Sequence, residues 1–163
     1  MLTLQIKIRG FDVMTHRIEQ RLAVLEAQQA IQALKHRYCQ LCDLHYDADA
    51  IALLFTEDAS WESGGRGRFV GREAIRTFFL GANQLYPWAA HLVLNAIITV
   101  NGDEATGQWR MLMPCNVLRD GQSVGVLQCS EYQERYQCVD GAWLIKCLIV
   151  THRRIESRFT AWE

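Results

Sequence analysis

Asp43 and His91 are the two side chains whose types and placing suggest chemistry. A carboxylate that accepts from one imidazole nitrogen fixes the tautomer and leaves the other nitrogen as a general base. Such a pair requires no metal and no nucleophilic side chain. It suits removal of a proton next to a carbonyl or a leaving group. Asp43 falls near the C-terminal end of a long helical pattern, one turn beyond Tyr38. A carboxylate there opposes the helix dipole, and partial burial disfavours it further unless it is paired. A solvated helix-end Asp is the competing role. His91 opens an alternating run in which His91, Val93, Asn95, Ile97 and Thr99 share one face. A His and an Asn two pleats apart can both look into a pocket on that face. A satisfied core or edge histidine is the commoner role for a single His.

The remaining chemistry is thinner. Trp61, Phe69, Phe79, Trp88, Trp109, Met111, Met113 and Tyr132 are candidates for the walls of an apolar pocket, with plain core packing as their alternative. Lys146, Leu148, Val150 and His152 alternate onto one strand face, which would bring His152 to a pocket mouth. Cys39 and Cys42 form a CxxC with no second pair at zinc spacing, and they read as small buried hydrophobes. Gly64-Gly65-Arg66-Gly67 lacks the Lys-Ser/Thr of a phosphate loop and reads as a hairpin turn. The histidines show no metal-binding spacing. No metal and no cofactor are expected.

The elements that must position these residues follow from periodicity. Ile18, Leu22, Leu25, Ile31, Leu34, Tyr38, Leu41 and His45 recur at helical steps and predict a helix over Thr15–Tyr46. A short helix over 48–55 and a third over 72–85 follow, the latter stopped by Pro87. Between them, 59–62 and 68–70 read as a hairpin. From His91 onward the pattern is strands over 91–100, 104–118, 123–139 and 143–157. Asn101-Gly102, Asp120-Gly121 and Asp140-Gly141 close the turns between them. Helices first and a long antiparallel meander second make an α+β fold, with a pocket between helices and curved sheet. Residues 2–9 alternate as a short strand would; alternatively Met14 is the true start, with 1–14 an extension to one domain over 15–163.

Composition sets the outer limits. The chain has 163 residues, half of them hydrophobic and 21% charged, with a formal net charge of −1. One globular domain is expected and a strongly basic nucleic-acid binder is excluded. No apolar run reaches the length of a membrane span. Six cysteines without an export signal point to a reduced, cytoplasmic setting. Ile145, Cys147 and Ile149 fall on the sheet's outer face and need cover, so a homodimer or homotrimer through the sheet is expected.

The chain resembles the SnoaL-like, nuclear-transport-factor-2-like superfamily. The resemblance is carried by Ala30-Ile31-Gln32-Ala33-Leu34 with Tyr38 and Asp43, and by Ala52-Leu53-Leu54-Phe55-Thr56-Glu57-Asp58-Ala59-Ser60-Trp61. Phe69-Val70-Gly71-Arg72-Glu73-Ala74-Ile75, the His91-to-Asn95 spacing and Val139-Asp140-Gly141-Ala142-Trp143 extend it. It implies a cone of about three helices on a strongly curved sheet enclosing an apolar pocket. The branch of scytalone dehydratase, bile-acid 7α-dehydratase and hexachlorocyclohexane dehydrochlorinase is the most similar. That branch uses an Asp-His dyad, matching Asp43 and His91, and its dehydratase Tyr matches Tyr38. The dehydrochlorinase's strand-initial Trp matches Trp61. Leu148 stands where the dehydrochlorinase carries a functional Arg, which leaves that role absent or to Lys146, His152 or Arg110. The resemblance implies a cofactor-free lyase or isomerase for a small apolar, cyclic or aromatic molecule, with Tyr38 or Asn95 polarising its oxygen. The alternative it implies is a non-catalytic binding or assembly subunit, like the small subunit of aromatic-ring-hydroxylating dioxygenases.

Overall fold

Ile31, Lys35, Tyr38 and Cys42 follow one another at steps of four, three and four residues, so a helix presents them as one stripe. In a computed structural model they lie on helix α1 (Leu2–Asp43), each at most 2% exposed. The structure describes residues 2–157 and 160–162, with the side chains of 2–13 and Asn83 left aside. Residues 2–9, expected as a short strand, belong to α1. A helix supplies its own backbone acceptors, whereas a strand requires a neighbour. Ile18, Leu22 and Leu25, expected on the buried stripe, are exposed; α1 meets the sheet from about Gln28 onward, whose side chain donates to Ile98 O of the sheet at 3.1 Å.

His45 (φ 62°) and Tyr46 (φ 56°) then adopt left-handed backbone in succession and turn the chain sharply. That turn buries Tyr46 and brings Asp47 to the start of helix α2 (Ala48–Ala52), where its carboxylate accepts from the Ala50 N–H at 3.0 Å. Strand β1 (Phe55–Ser63) and strand β2 (Gly67–Val70) form the first hairpin. The expected third helix is two: α3 (Arg72–Leu80) and α4 (Ala82–Leu85), parted at Gly81. Strands β3 (Trp88–Ala89), β4 (Leu92–Asn101), β5 (Glu104–Arg119), β6 (Gln122–Val139) and β7 (Ala142–Ser157) complete one seven-stranded sheet.

The order is β2-β1-β7-β6-β5-β3, with β4 also pairing β5. Only β1 and β7 run parallel; every other pair is antiparallel. The fold is α+β, with helices on one face of an open, mostly antiparallel sheet.

On β4 and β7, extra residues at three points decide which side chains face the helices. On β4, Leu94 pairs with Arg110 and Ile97 with Gln108, so one residue is extra at Asn95–Ala96, and Asn95 is left-handed (φ 53°). On β7, Cys147 pairs with Arg135 but Ile145 pairs with Tyr136, so Lys146 is extra; Arg153 is extra in the same way. Each such bulge exchanges the inner and outer faces of the strand beyond it. Ile145, expected on the outer face, is therefore fully buried, while Lys146 reaches out to Asp58. The outer face carries Leu92 opposite Leu112, with Leu94 alongside, all exposed. No described helix is long and apolar enough to cross a membrane.

Candidate active site

His91 sits between β3 and β4, and Asp43 is the last residue of α1. Their approach results from topology: the end of α1 packs where β4 begins. His91 Nδ1 lies 2.7 Å from Asp43 Oδ1. The same carboxylate also accepts the His91 backbone N–H, at 2.9 Å to Oδ1 and 3.2 Å to Oδ2. One acid thus holds both the ring and the peptide of His91. The ring is nearly hidden, with its side chain 7% exposed against 33% for Asp43. Tyr46 packs edge-on against the imidazole at 6.1 Å between centroids.

His91 lines a pocket of about 50 Å³ between the helices and the sheet. Tyr38, Trp61, Phe79, Met111, Met113, Tyr132 and His152, all expected to line a pocket or act in it, line this one. Tyr38 accepts the Trp61 Nε1–H at 3.1 Å and also bonds the Cys42 side chain one turn on. Burial pushes the Tyr38 phenol well above its ordinary range, so it stays protonated and acts as a donor. The Tyr132 hydroxyl approaches Met111 Sδ at 2.9 Å and is held protonated in the same way by burial.

Five expected wall residues lie elsewhere. Phe69 stacks on Phe78 at 4.5 Å between ring centroids without reaching the cavity. The bulge at Asn95 takes that side chain off the His91 face and out to an exposed hollow beside Gln108 and Arg110. Trp109 is buried deeper under α1, donating to the Tyr136 hydroxyl at 3.0 Å and packing edge-on with His36. Trp88 is 40% exposed on the short strand β3 and is not part of the pocket wall. Leu148 is fully buried in the core without reaching the cavity. Nor do Lys146 and Arg110 reach it. Lys146 is bound to Asp58, and Arg110 pairs with Glu131 on the outer side.

Several wall residues have no clear sequence signal. Tyr46 and Tyr86 arrive through the left-handed turn and the end of α4. Ser63 and Arg66 come from the Gly-rich hairpin, whose turn is closed by Arg66 N–H donating to Ser63 O at 2.9 Å. His152 is suspended between two hydroxyls: Nε2 is 3.0 Å from Ser63 Oγ and Nδ1 is 2.9 Å from Ser130 Oγ. Burial first, and the Arg66 charge second, push its pKa below the ordinary histidine value, so it is neutral at pH 7.

Behind the pocket, Lys35 and Glu134 form a fully buried ion pair at 2.5 Å. The ammonium also lies 3.1 Å from the centroid of the Tyr132 ring. Glu134 accepts a further bond from the Tyr136 hydroxyl. Among the described residues no group of His, Cys, Asp and Glu is arranged to hold a metal.

The family model that matches the chain is that of the SnoaL-like domain, over residues 23–148. No curated protein matches the sequence. The solved structure of hexachlorocyclohexane dehydrochlorinase LinA type 2 aligns with a TM-score of 0.77 at 22% identity, covering 85% of this chain and 94% of that one. A protein of Novosphingobium aromaticivorans provisionally assigned as a scytalone dehydratase aligns at 0.73 and 20%, covering 83% and 90%. A second protein of that organism, provisionally assigned as an aromatic ring hydroxylase, aligns at 0.72 and 25%, covering 82% and 94%. The first two likenesses are likenesses of fold. With the family model spanning most of the sequence, and with helices on a mostly antiparallel sheet, the chain belongs to the SnoaL-like family.

Proposed function

We propose that the pocket performs cofactor-free general-base chemistry, as a lyase or isomerase, on a small, largely apolar, cyclic or aromatic molecule. The observation that carries this reading is the 2.7 Å contact between His91 Nδ1 and Asp43 in the wall of an aromatic pocket. With Nδ1 engaged, Nε2 is the nitrogen that takes a proton from a substrate carbon. The electron pair of the broken C–H bond forms a double bond as a neighbouring group leaves, or an enolate when that neighbour is a carbonyl. Asp43 orients the ring and stabilises the imidazolium. The Tyr38 hydroxyl donates to the oxygen on which charge develops. A turnover screen with cyclic hydroxy, keto and halogenated compounds tests this, with His91→Ala as the control. Wild type should turn over at least one class, and His91→Ala should lose about 10²–10⁴ in rate. Equal behaviour of the two proteins overturns it.

The exposed Leu92, Leu94 and Leu112 favour assembly through the outer sheet face. We assign that face to a homodimer or homotrimer, which light scattering after size exclusion should report as a mass of two or three chains. The same surface and the resemblance to a provisionally assigned ring hydroxylase favour a second reading, an assembly subunit. Co-purification with a Rieske-type large subunit would support it.

A further inference from the structure

Among the described residues that line the aromatic pocket, Arg66 carries a permanent positive charge and pairs with no acid. Arg66 lines the exposed end, where its guanidinium donates to the Tyr86 hydroxyl at 2.8 Å and stands 5.2 Å from the centroid of the same ring. Among the described residues it makes no ion pair, and no carboxylate lines the cavity. Asp43 lies behind His91. The turn that carries Arg66 is set by Gly65 (φ 90°) and Gly67 (φ 101°) on either side of it, conformations a side chain would strain. Arg66 is thus aimed by its own hairpin, across the opening from the turn after α4.

Ser63 stands at the other end of the same hairpin and also lines the pocket. Its hydroxyl is 3.0 Å from His152 Nε2, and Ser130 holds Nδ1. Two tautomers of the neutral ring satisfy these contacts. In one, Ser63 gives its proton to Nε2. In the other, Nε2–H donates to Ser63, Ser130 donates to Nδ1, and the Ser63 proton is free to point into the pocket. An anionic oxygen beside Ser63 selects the second tautomer, because only that one offers it a donor.

Resting on the reading of this pocket as a small-molecule site, we propose that Arg66 and the Ser63–His152–Ser130 relay form a carboxylate subsite at its exposed end. The ligand is then an apolar ring bearing a carboxylate. The ring lies against Phe78, Phe79, Met111 and Tyr132, and the carboxylate takes the guanidinium and the Ser63 hydroxyl. As it stands, the cavity of about 50 Å³ is well below the ~150 Å³ that admits benzene. A ring therefore enters as Arg66 exchanges the Tyr86 hydroxyl for the carboxylate, and an ion pair replaces a bond to a neutral acceptor. Recognition and opening are one event.

Titration calorimetry with benzoate and with benzamide, at matched pH and salt, tests this. Wild type should bind benzoate about tenfold tighter than benzamide. Arg66→Gln should abolish the difference, Arg66→Lys should keep most of it, and Ser63→Ala should reduce it. Circular dichroism establishes that each variant is folded. Binding is read here without turnover, so a pocket that fails the turnover screen can still pass this test, and the reverse. Equal binding of the two probes, no binding of either, or a preference that survives Arg66→Gln overturns the proposal.

Discussion

His91 owes its placement to a single carboxylate that holds it twice, through the ring and through the peptide N–H. Asp43→Asn keeps an acceptor for both contacts but removes the charge that steadies a protonated ring. The expected outcome is a drop of about 10²–10⁴ in turnover with little loss of Tm, read from kinetics and thermal melting on one preparation. His152 answers to pH instead. It binds a proton less readily folded than unfolded, because burial and Arg66 oppose its charge. Its contribution to stability is complete above the ordinary value of 6.5 and falls away as pH drops below it. Melting curves between pH 7.5 and 5 should therefore fall less steeply for His152→Asn than for wild type. At this scale the sequence shows the chemistry of residue types. Asp43 and His91 stand out because each is costly where it lies. Ser63, Arg66 and Tyr46 do not, because their place in the pocket depends on a turn's direction and leaves no periodic trace.

The meander of the last strands, the hairpin turns and the helix periodicity are legible because each repeats a local rule over many residues, whereas the parallel pairing of β1 with β7 obeys none. What alternation cannot register is an inserted residue. Beyond Asn95 the inward positions of β4 pass from Val93 to Ile98 and Val100, and on β7 the extra Lys146 puts Ile145 inside. The sequence face containing His91, Val93 and Asn95 is therefore broken at its third member. The bulge is also a backbone device: Asn95 holds φ 53°, a conformation that glycine adopts freely and a β-branched residue resists. Asn95→Val should cost about 1–2 kcal/mol in thermal or chemical unfolding, whereas Asn95→Gly should stay near wild type. Similar losses for both would show that the Asn95 side chain, not its backbone, holds the bulge.

At the scale of the molecule, the buried Lys35–Glu134 pair ties the helix layer to the sheet. Lys35 gave no sequence signal beyond an interruption of an apolar stripe, which a solvated lysine also makes. Its side chain and that of Glu134 are both 0% exposed. Removing one partner strands the other's charge, so Lys35→Met alone should cost about 3–5 kcal/mol. The double variant Lys35→Met/Glu134→Gln leaves an acceptor for Tyr136 and no stranded charge, and it should recover most of that loss in urea unfolding.

The parallel pairing of β1 with β7 joins the earliest strand to the last. The contacts that make the site span 48 residues for Asp43–His91, 89 for Ser63–His152 and 99 for Lys35–Glu134. Chains dominated by such distant contacts fold slowly, because loops must close before anything is gained. During synthesis α1 and the first hairpin leave the ribosome long before β7 exists. The pocket then matures late, in the step that seats β7 between β1 and β6, and until that step the nascent chain exposes the aromatic surface that later becomes its walls.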